Sequence, residues 1–293
     1  MKHITVIADP AGGKNLALKR ALELQQHTGA KITLLGFCYA STGDPADLLA
    51  AKLSRSKLER AVKNKCGEEL RALLKLHKAE AKKIVLKVLW GKDIARAVIS
   101  YCQKHPTELL IKSGHRSETW LYEPTDWQLL RECPTPVMIT ASKSWKRKSR
   151  IVAALDFSTS AKTKQRLNDK IIAQAKSLAV SLQEELHIAF ALKIPQALVD
   201  MDLIDPRKYI SDKRRTLQPL IDKFCLKHQL DPKCVHMQQG EPERVIASIA
   251  SALKADVVVT GTVGRKGLKG KLMGNTAEKI LSKLRTDILA VKP

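Results

Sequence analysis

The chain repeats itself. Residues 1–142 and 150–293 pass through the same order of apolar runs, turn residues and amphipathic stretches, with a basic stretch at 143–149 between them, so both halves must satisfy one fold. The first copy reads as a strand at 4–8 ending at Asp9, a helix over 15–28, a strand at 31–37 and a long helical region over 45–78; a strand at 84–89 with Gly91, a helix over 94–102 and strands at 108–112 and 137–140 complete it. The second copy reads as a strand at 151–155 ending at Asp156, a helix over 164–182, a strand at 186–192 and a helix over 206–228; a strand at 235–238 with Gly240, a helix over 242–253 and strands at 256–260 and 288–291 follow. Strands that alternate with helices imply βαβ units and a parallel sheet, because a parallel neighbour is reached only through a crossover. The apolar run Val257-Val258-Val259 fits a strand buried on both faces. The expected fold is therefore α/β, two tandem doubly wound five-stranded parallel sheets with strand order 3-2-1-4-5.

Composition agrees with this class and excludes others. An apolar fraction of 44% with only 4% aromatics describes cores of Ala, Val, Ile and Leu, as expected where helices cover both faces of a sheet. No apolar stretch approaches the ~18 residues of a membrane span, and the N-terminus runs directly into a strand without a signal-peptide pattern, so a cytoplasmic location is expected. The six cysteines form no C-x-x-C pair, which argues against a zinc site or a thioredoxin-type motif; they are expected to be reduced, several of them buried. His115, beside a strand end, is a histidine that could touch a ligand, although a structural role is the commoner one for a lone histidine. The net charge of +23 attracts polyanions, but 26 basic residues fall in 1–147 and 26 in 148–293, so the excess is diffuse. The densest run lies at 143–150, where Trp145 could stack on a base. Without a helix-turn-helix or zinc-finger spacing, sequence-specific nucleic-acid binding is not expected.

A glycine series near the C-terminus carries the chemistry. Gly261 and Gly264 follow the apolar strand, and Gly274 stands nine residues beyond Gly264 at the start of a helical segment over 275–284. Closely spaced glycines between a strand and a helix let backbone N–H groups approach an anion with no side chain in the way. The Walker pattern is absent, since five residues separate Gly264 from Gly270-Lys271 and Leu272 stands where a hydroxyl is needed. No G-x-G-x-x-G follows a strand either.

In this segment the chain resembles the universal stress protein family, whose ATP-binding members carry G-x-x-G, nine residues, then G followed by Ser or Thr. Gly261, Gly264 and Gly274 match; Asn275 replaces the hydroxyl residue, with Thr276 after it, and an Asn amide can still donate to phosphate. The segments 124–131 and 274–278 are similar to the tandem-domain E subgroup of that family, and the duplication extends the resemblance over the whole chain. The resemblance implies the adenine nucleotide alpha hydrolase-like form of the fold and a role in surviving stress, including DNA damage. It also implies ATP, with or without Mg²⁺, as cofactor. By it, Asp156 contacts adenosine and Ala191 or Leu192 flanks the base. Thr260, Gly261, Thr262, Val263, Gly264 and Arg265 line the ribose and phosphates, and Gly274, Asn275 and Thr276 hold the phosphate tail. Arg265, Lys266, Lys269 and Lys271, with helix N-terminal amides, make an electropositive mouth suited to a triphosphate, although these four can equally be surface charges. A side chain at Gly261 or Gly274 is expected to occupy the phosphate space and leave the fold intact.

The first copy reads Lys112-Ser113-Gly114-His115 at the equivalent place and lacks the spaced glycines. One adenine nucleotide per chain follows. Asp9 survives there, and an aspartate at a strand end can equally cap the next segment. The leading function is an ATP-binding sensor or switch in a cytoplasmic stress response. A slow ATPase or phosphotransferase using the same pocket is the enzymatic alternative, disfavoured because no carboxylate pair, catalytic triad or metal cluster is discernible there. A nucleic-acid-associated protein using the basic surface is the third reading. The two halves are expected to pair as an intramolecular pseudo-dimer through their last strands, and a homodimer is left open.

Overall fold

The strand sequences dictate the same five-strand topology in each half. The computed structural model describes residues 1–9, 15–39, 54–77, 83–114, 125–141, 145, 150–262, 279–280 and 282–293. It divides into two units, Met1–Ala141 and Ser142–Pro293. In the first unit β1 (His3–Ile7), β2 (Lys31–Cys38), β3 (Ile84–Trp90), β4 (Leu109–Ser113) and β5 (Val137–Thr140) are all parallel, in the order β3-β2-β1-β4-β5. In the second, β6 (Arg150–Ala154), β7 (Glu185–Leu192), β8 (Val235–Gln239), β9 (Val257–Gly261) and β10 (Asp287–Val291) repeat it as β8-β7-β6-β9-β10.

Four of the helices begin where a side chain supplies an acceptor for an unpaired first-turn amide. In the first unit the helices are α1 (Leu16–Thr28), α2 (Arg55–Leu76), α3 (Ile94–Lys104) and α4 (Thr125–Glu132). Asn15, Ser54 and Asp93 accept from Leu18, Lys57 and Arg96 N–H and so cap α1, α2 and α3. The cap of α1 is thus Asn15 and not Asp9. The second unit holds α5 (Lys162–Leu182), the short α6 (Gln196–Asp200), α7 (Pro206–His228) and α8 (Pro242–Ala252). Asp205 caps α7, with Pro206 just inside, where its missing N–H costs nothing. The sequence pattern did not single out α4, α6 or the 3₁₀ turn Pro232–Cys234. Residues 45–53 of the long helical region and 275–278 of the last one lie outside the described residues, as do 143–144 and 146–149 of the basic stretch.

Each sheet is buried by helices on both sides. In the second unit Val152, Ala154, Ala189, Val258 and Ile288 pack against Val245, Ile246, Ile249 and Ala250 of α8, joined by Ile280 and Leu284. On the other face Phe157 meets Phe190 and Phe224 edge-on, with ring centroids 5.4 and 5.2 Å apart. Such contacts add about 0.5–1.5 kcal/mol per pair beyond burial. The six cysteines are free thiols; burial pushes Cys66 and Cys234 up to about 11 and holds both as protonated thiols. Trp145 is held by its Nε1–H, which donates to Asp287 Oδ2 at 2.8 Å at the start of β10. No helix among the described residues is long and apolar enough to cross a membrane.

One polar cluster interrupts the second unit's sheet. His187 Nδ1 and His236 Nε2 lie 3.0 Å apart across β7 and β8, with Glu185 Oε2 3.5 Å from His187 Nε2 and bonded to Arg150 at 2.9 Å. Burial, then His187 and the Arg150 charge, hold the His236 imidazole below its ordinary value. The unfolded chain therefore takes up that proton first as pH falls, so His236 favours the fold above about pH 6.5, and this contribution is lost as pH drops below it. Thermal unfolding of His236→Gln is expected to show a shallower fall in Tm between about pH 7 and pH 5 than the parent chain; an unchanged slope would mean that other groups carry the acid sensitivity.

Candidate functional site

Open parallel sheets bind ligands beyond the carboxyl ends of their strands, at the point where the strand order reverses. In the second unit that point lies between β6 and β9. The register pairs Ala154 with Ala189 and Ala153 with Val259. Carried two residues on, it sets Leu155 level with Gly261, and Asp156 between Ala191 on one side and Thr262 on the other. The strand ends thus bring Asp156, Ala191, Gly261 and Thr262 into one row.

Asp156 is held by its backbone and presents its carboxylate. Asn168, buried on α5, accepts from the Asp156 N–H at 3.2 Å and donates its amide to the Asp156 carbonyl at 2.8 Å. Ser158 N–H donates to Asp156 Oδ1 at 3.0 Å, while Oδ2 faces Lys164 Nζ at 3.9 Å and the side chain remains half exposed. A carboxylate placed so can accept hydrogen bonds from hydroxyl or amine donors of a ligand. Asn168 lies outside the glycine motif. Its signal is positional: an amide at a place in the apolar stripe that continues through Ile171, Ile172 and Ala175.

The neighbours of Asp156 have structural duties. Thr262 donates its N–H to the Val291 carbonyl at 2.9 Å, and its hydroxyl turns to the same oxygen at 3.4 Å, so it extends the β9–β10 ladder. Thr260 is buried. Ala191 packs towards α8; Leu192 is buried, and its carbonyl accepts from Gly240 N–H at 3.0 Å. Gly261 is the last residue of β9, and a Cβ there would stand 2.5 Å from Leu167 Cδ2 and 3.1 Å from Ile171 Cδ1. Its missing side chain admits α5 to the sheet. The expectation that a larger residue at Gly261 leaves the fold intact is corrected accordingly: the collision is with the helix. Val263, Gly264, Arg265, Lys266, Lys269, Lys271, Gly274, Asn275 and Thr276 lie outside the described residues.

The first unit builds the same edge differently. Asp9 follows β1, and Gly114 N–H donates to the Thr140 carbonyl at 3.0 Å, as Thr262 does to Val291. Ser113 stands in the place of Gly261, and its hydroxyl accepts from Ala17 N–H at 3.2 Å near the start of α1. Beside it the ammonium of Lys112, buried, pairs with Asp126 Oδ1 at 2.6 Å and donates to the Ser113 carbonyl at 2.9 Å. His115 lies outside the described residues. Among the described residues no cluster of three or more His, Cys, Asp or Glu side chains could hold a metal ion.

A family model described as the universal stress protein family matches residues 1–141 and 149–292. Universal stress protein E of Salmonella typhi is 29% identical over 298 residues, covering 100% of this chain and 94% of that protein. A universal stress protein E homolog of Haemophilus influenzae is 30% identical over 304 residues, covering 100% and 97%. Among solved structures, a putative universal stress protein from Pseudomonas aeruginosa superposes with a TM-score of 0.72 at 26% identity, covering 100% of this chain and 94% of that one. A universal stress protein from Archaeoglobus fulgidus shares the fold with a TM-score of 0.66 at 17% identity, covering 99% and 98%.

Gly261→Val is expected to destabilise the chain by about 1–3 kcal/mol through overpacking. Adding Leu167→Ala should return part of that loss, because it removes the atoms the new side chain strikes. Urea unfolding of the single and double variants checks this; a Gly261→Val chain as stable as the parent would contradict the packing role.

Proposed function

Because the chain belongs to the universal stress protein family, we propose that it is a stress-response protein whose second unit binds ATP and acts as a sensor or switch. The observation that carries this reading is the contrast between the two strand edges. In the second unit, Asn168 fixes the turn that presents the Asp156 carboxylate, and the adjacent strand leads from Thr262 directly into the glycine series. In the first, the corresponding place holds Ser113 and a buried Lys112–Asp126 pair, with no spaced glycines after it. The family resemblance supplies the ligand: adenosine at Asp156 with Ala191 or Leu192 beside the base, phosphates along 260–265, and the phosphate tail at Gly274, Asn275 and Thr276. Mg²⁺ would accompany the phosphates as part of the nucleotide.

Binding without rapid turnover is the form of this proposal. Among the described residues at the carboxyl ends of β6, β7 and β9, Asp156 is the one carboxylate, so a second acid or base for hydrolysis is not supplied by those strand ends. A cytoplasmic location and the resistance to stress, including DNA damage, implied by the family resemblance belong to the same reading. So do its partners: an adenine nucleotide and, within the chain, the second copy of the same unit.

Calorimetric titration of the whole chain with ATP is expected to give one site per chain. Asp156→Ala should weaken that site by about tenfold, the size of one charge-assisted hydrogen bond. Two equivalent sites, no binding, or an unaffected Asp156→Ala variant would contradict the proposal.

A further inference from the structure

The two units share a backbone device at the ends of their second and third strands, and the side chains mounted on it differ in kind. In each unit a glycine follows the third strand in a left-handed conformation, Gly91 at φ 154° and Gly240 at φ 139°. Each donates its N–H to the last carbonyl of the second strand, Gly91 to Cys38 at 3.1 Å and Gly240 to Leu192 at 3.0 Å. The register then sets Cys38 beside Trp90 and Leu192 beside Gln239. Tyr39 and Lys92 in the first unit thus occupy the places of Lys193 and Glu241 in the second.

In the second unit Lys193 and Glu241, both exposed, close an ion pair at 2.9 Å, an ordinary solvated surface contact. In the first unit the same backbone carries two aromatic rings and a cation. The rings of Tyr39 and Trp90 lie 5.8 Å apart, tilted by 44°, and Lys92 Nζ stands 4.6 Å over the Tyr39 ring. Tyr39 is 45% exposed and Trp90 partly so. The chain holds four Trp and four Tyr, and two of these eight rings stand side by side at the carboxyl ends of β2 and β3. Aromatic faces in such a position stack flat rings, and an ammonium held against them adds attraction for a negative group.

We propose that the carboxyl ends of β2 and β3 form a ligand site in the first unit for a flat aromatic molecule bearing an anionic group. The ring lies against Tyr39 and Trp90, and the anion meets Lys92. None of these residues belongs to the nucleotide site of the second unit, so this site stands or falls separately from that one.

A nucleotide and a simple aromatic acid both meet this description, so calorimetric titrations of the full chain use AMP and naphthalene-1-sulfonate separately. Naphthalene-1-sulfonate is expected to bind, and to bind about tenfold less tightly to Trp90→Leu and to Lys92→Gln. Cyclohexanesulfonate, of like charge but not flat, should bind about tenfold less tightly to the parent chain, and Lys193→Ala should change nothing. A component of AMP binding that is lost in Trp90→Leu assigns the site to nucleotides; its absence, with the sulfonate still bound, assigns it to non-nucleotide aromatic acids. Failure of both probes to bind, equal affinity for cyclohexanesulfonate, or binding insensitive to both variants overturns the proposal. Lys92→Gln changes an exposed side chain and keeps the test independent of any folding defect in Trp90→Leu.

Discussion

Within each unit every strand is parallel to its neighbours in that unit, and that single constraint sets the rest. A parallel strand is reached only by a crossover, so each strand brings a helix that must lie on the sheet, and the sheet must be apolar on both faces to receive it. The fourth strands illustrate how this demand is met. Every residue of β4 is buried, and in β9 only Gly261 is less than fully so. At the place where the strand order reverses, the first helix of the unit must also come close to the fourth strand. The two units solve this by different means: Gly261 opens room for Leu167 and Ile171, whereas Ser113 takes up a hydrogen bond from α1.

Duplication followed by divergence at the strand edges explains how one backbone can serve two ends. The ladder bonds that close each edge are retained, Gly114 to Thr140 and Thr262 to Val291, Gly91 to Cys38 and Gly240 to Leu192. What changed is the chemistry mounted on them. A buried ion pair stands beside the switch point of the first unit, and such a pair is costly to break from one side, which favours keeping both partners once they are in place. The aromatic pair at Tyr39 and Trp90 stands two and three strands away from Lys112 of that ion pair, on β2 and β3.

The order of elements was legible in the sequence because parallel strands read as apolar runs and the helices between them as longer amphipathic stretches. The helix Pro206–His228 carries its own signals, Asp205 and Pro206 at its start. The site was legible only in part. A glycine at a strand end reads equally as room for a phosphate or room for a helix, and only the direction of the absent Cβ separates them; at Gly261 it points to Leu167. Asn168 was hidden because its partner, the Asp156 backbone, lies 12 residues away across a turn. The pairs Tyr39 with Trp90 and His187 with His236 join residues brought together only by strand register. Trp145 and Asp287 meet across 142 residues of sequence.

Amide hydrogen exchange of the whole chain with and without ATP tests the central claim most directly. The account predicts slower exchange on adding ATP in residues 155–168 and 260–262, where the turn held by Asn168 and the end of β9 meet the nucleotide, with no change at 109–114 of the first unit. Protection centred on 109–114, or none at 155–168 at saturating ATP, would contradict it.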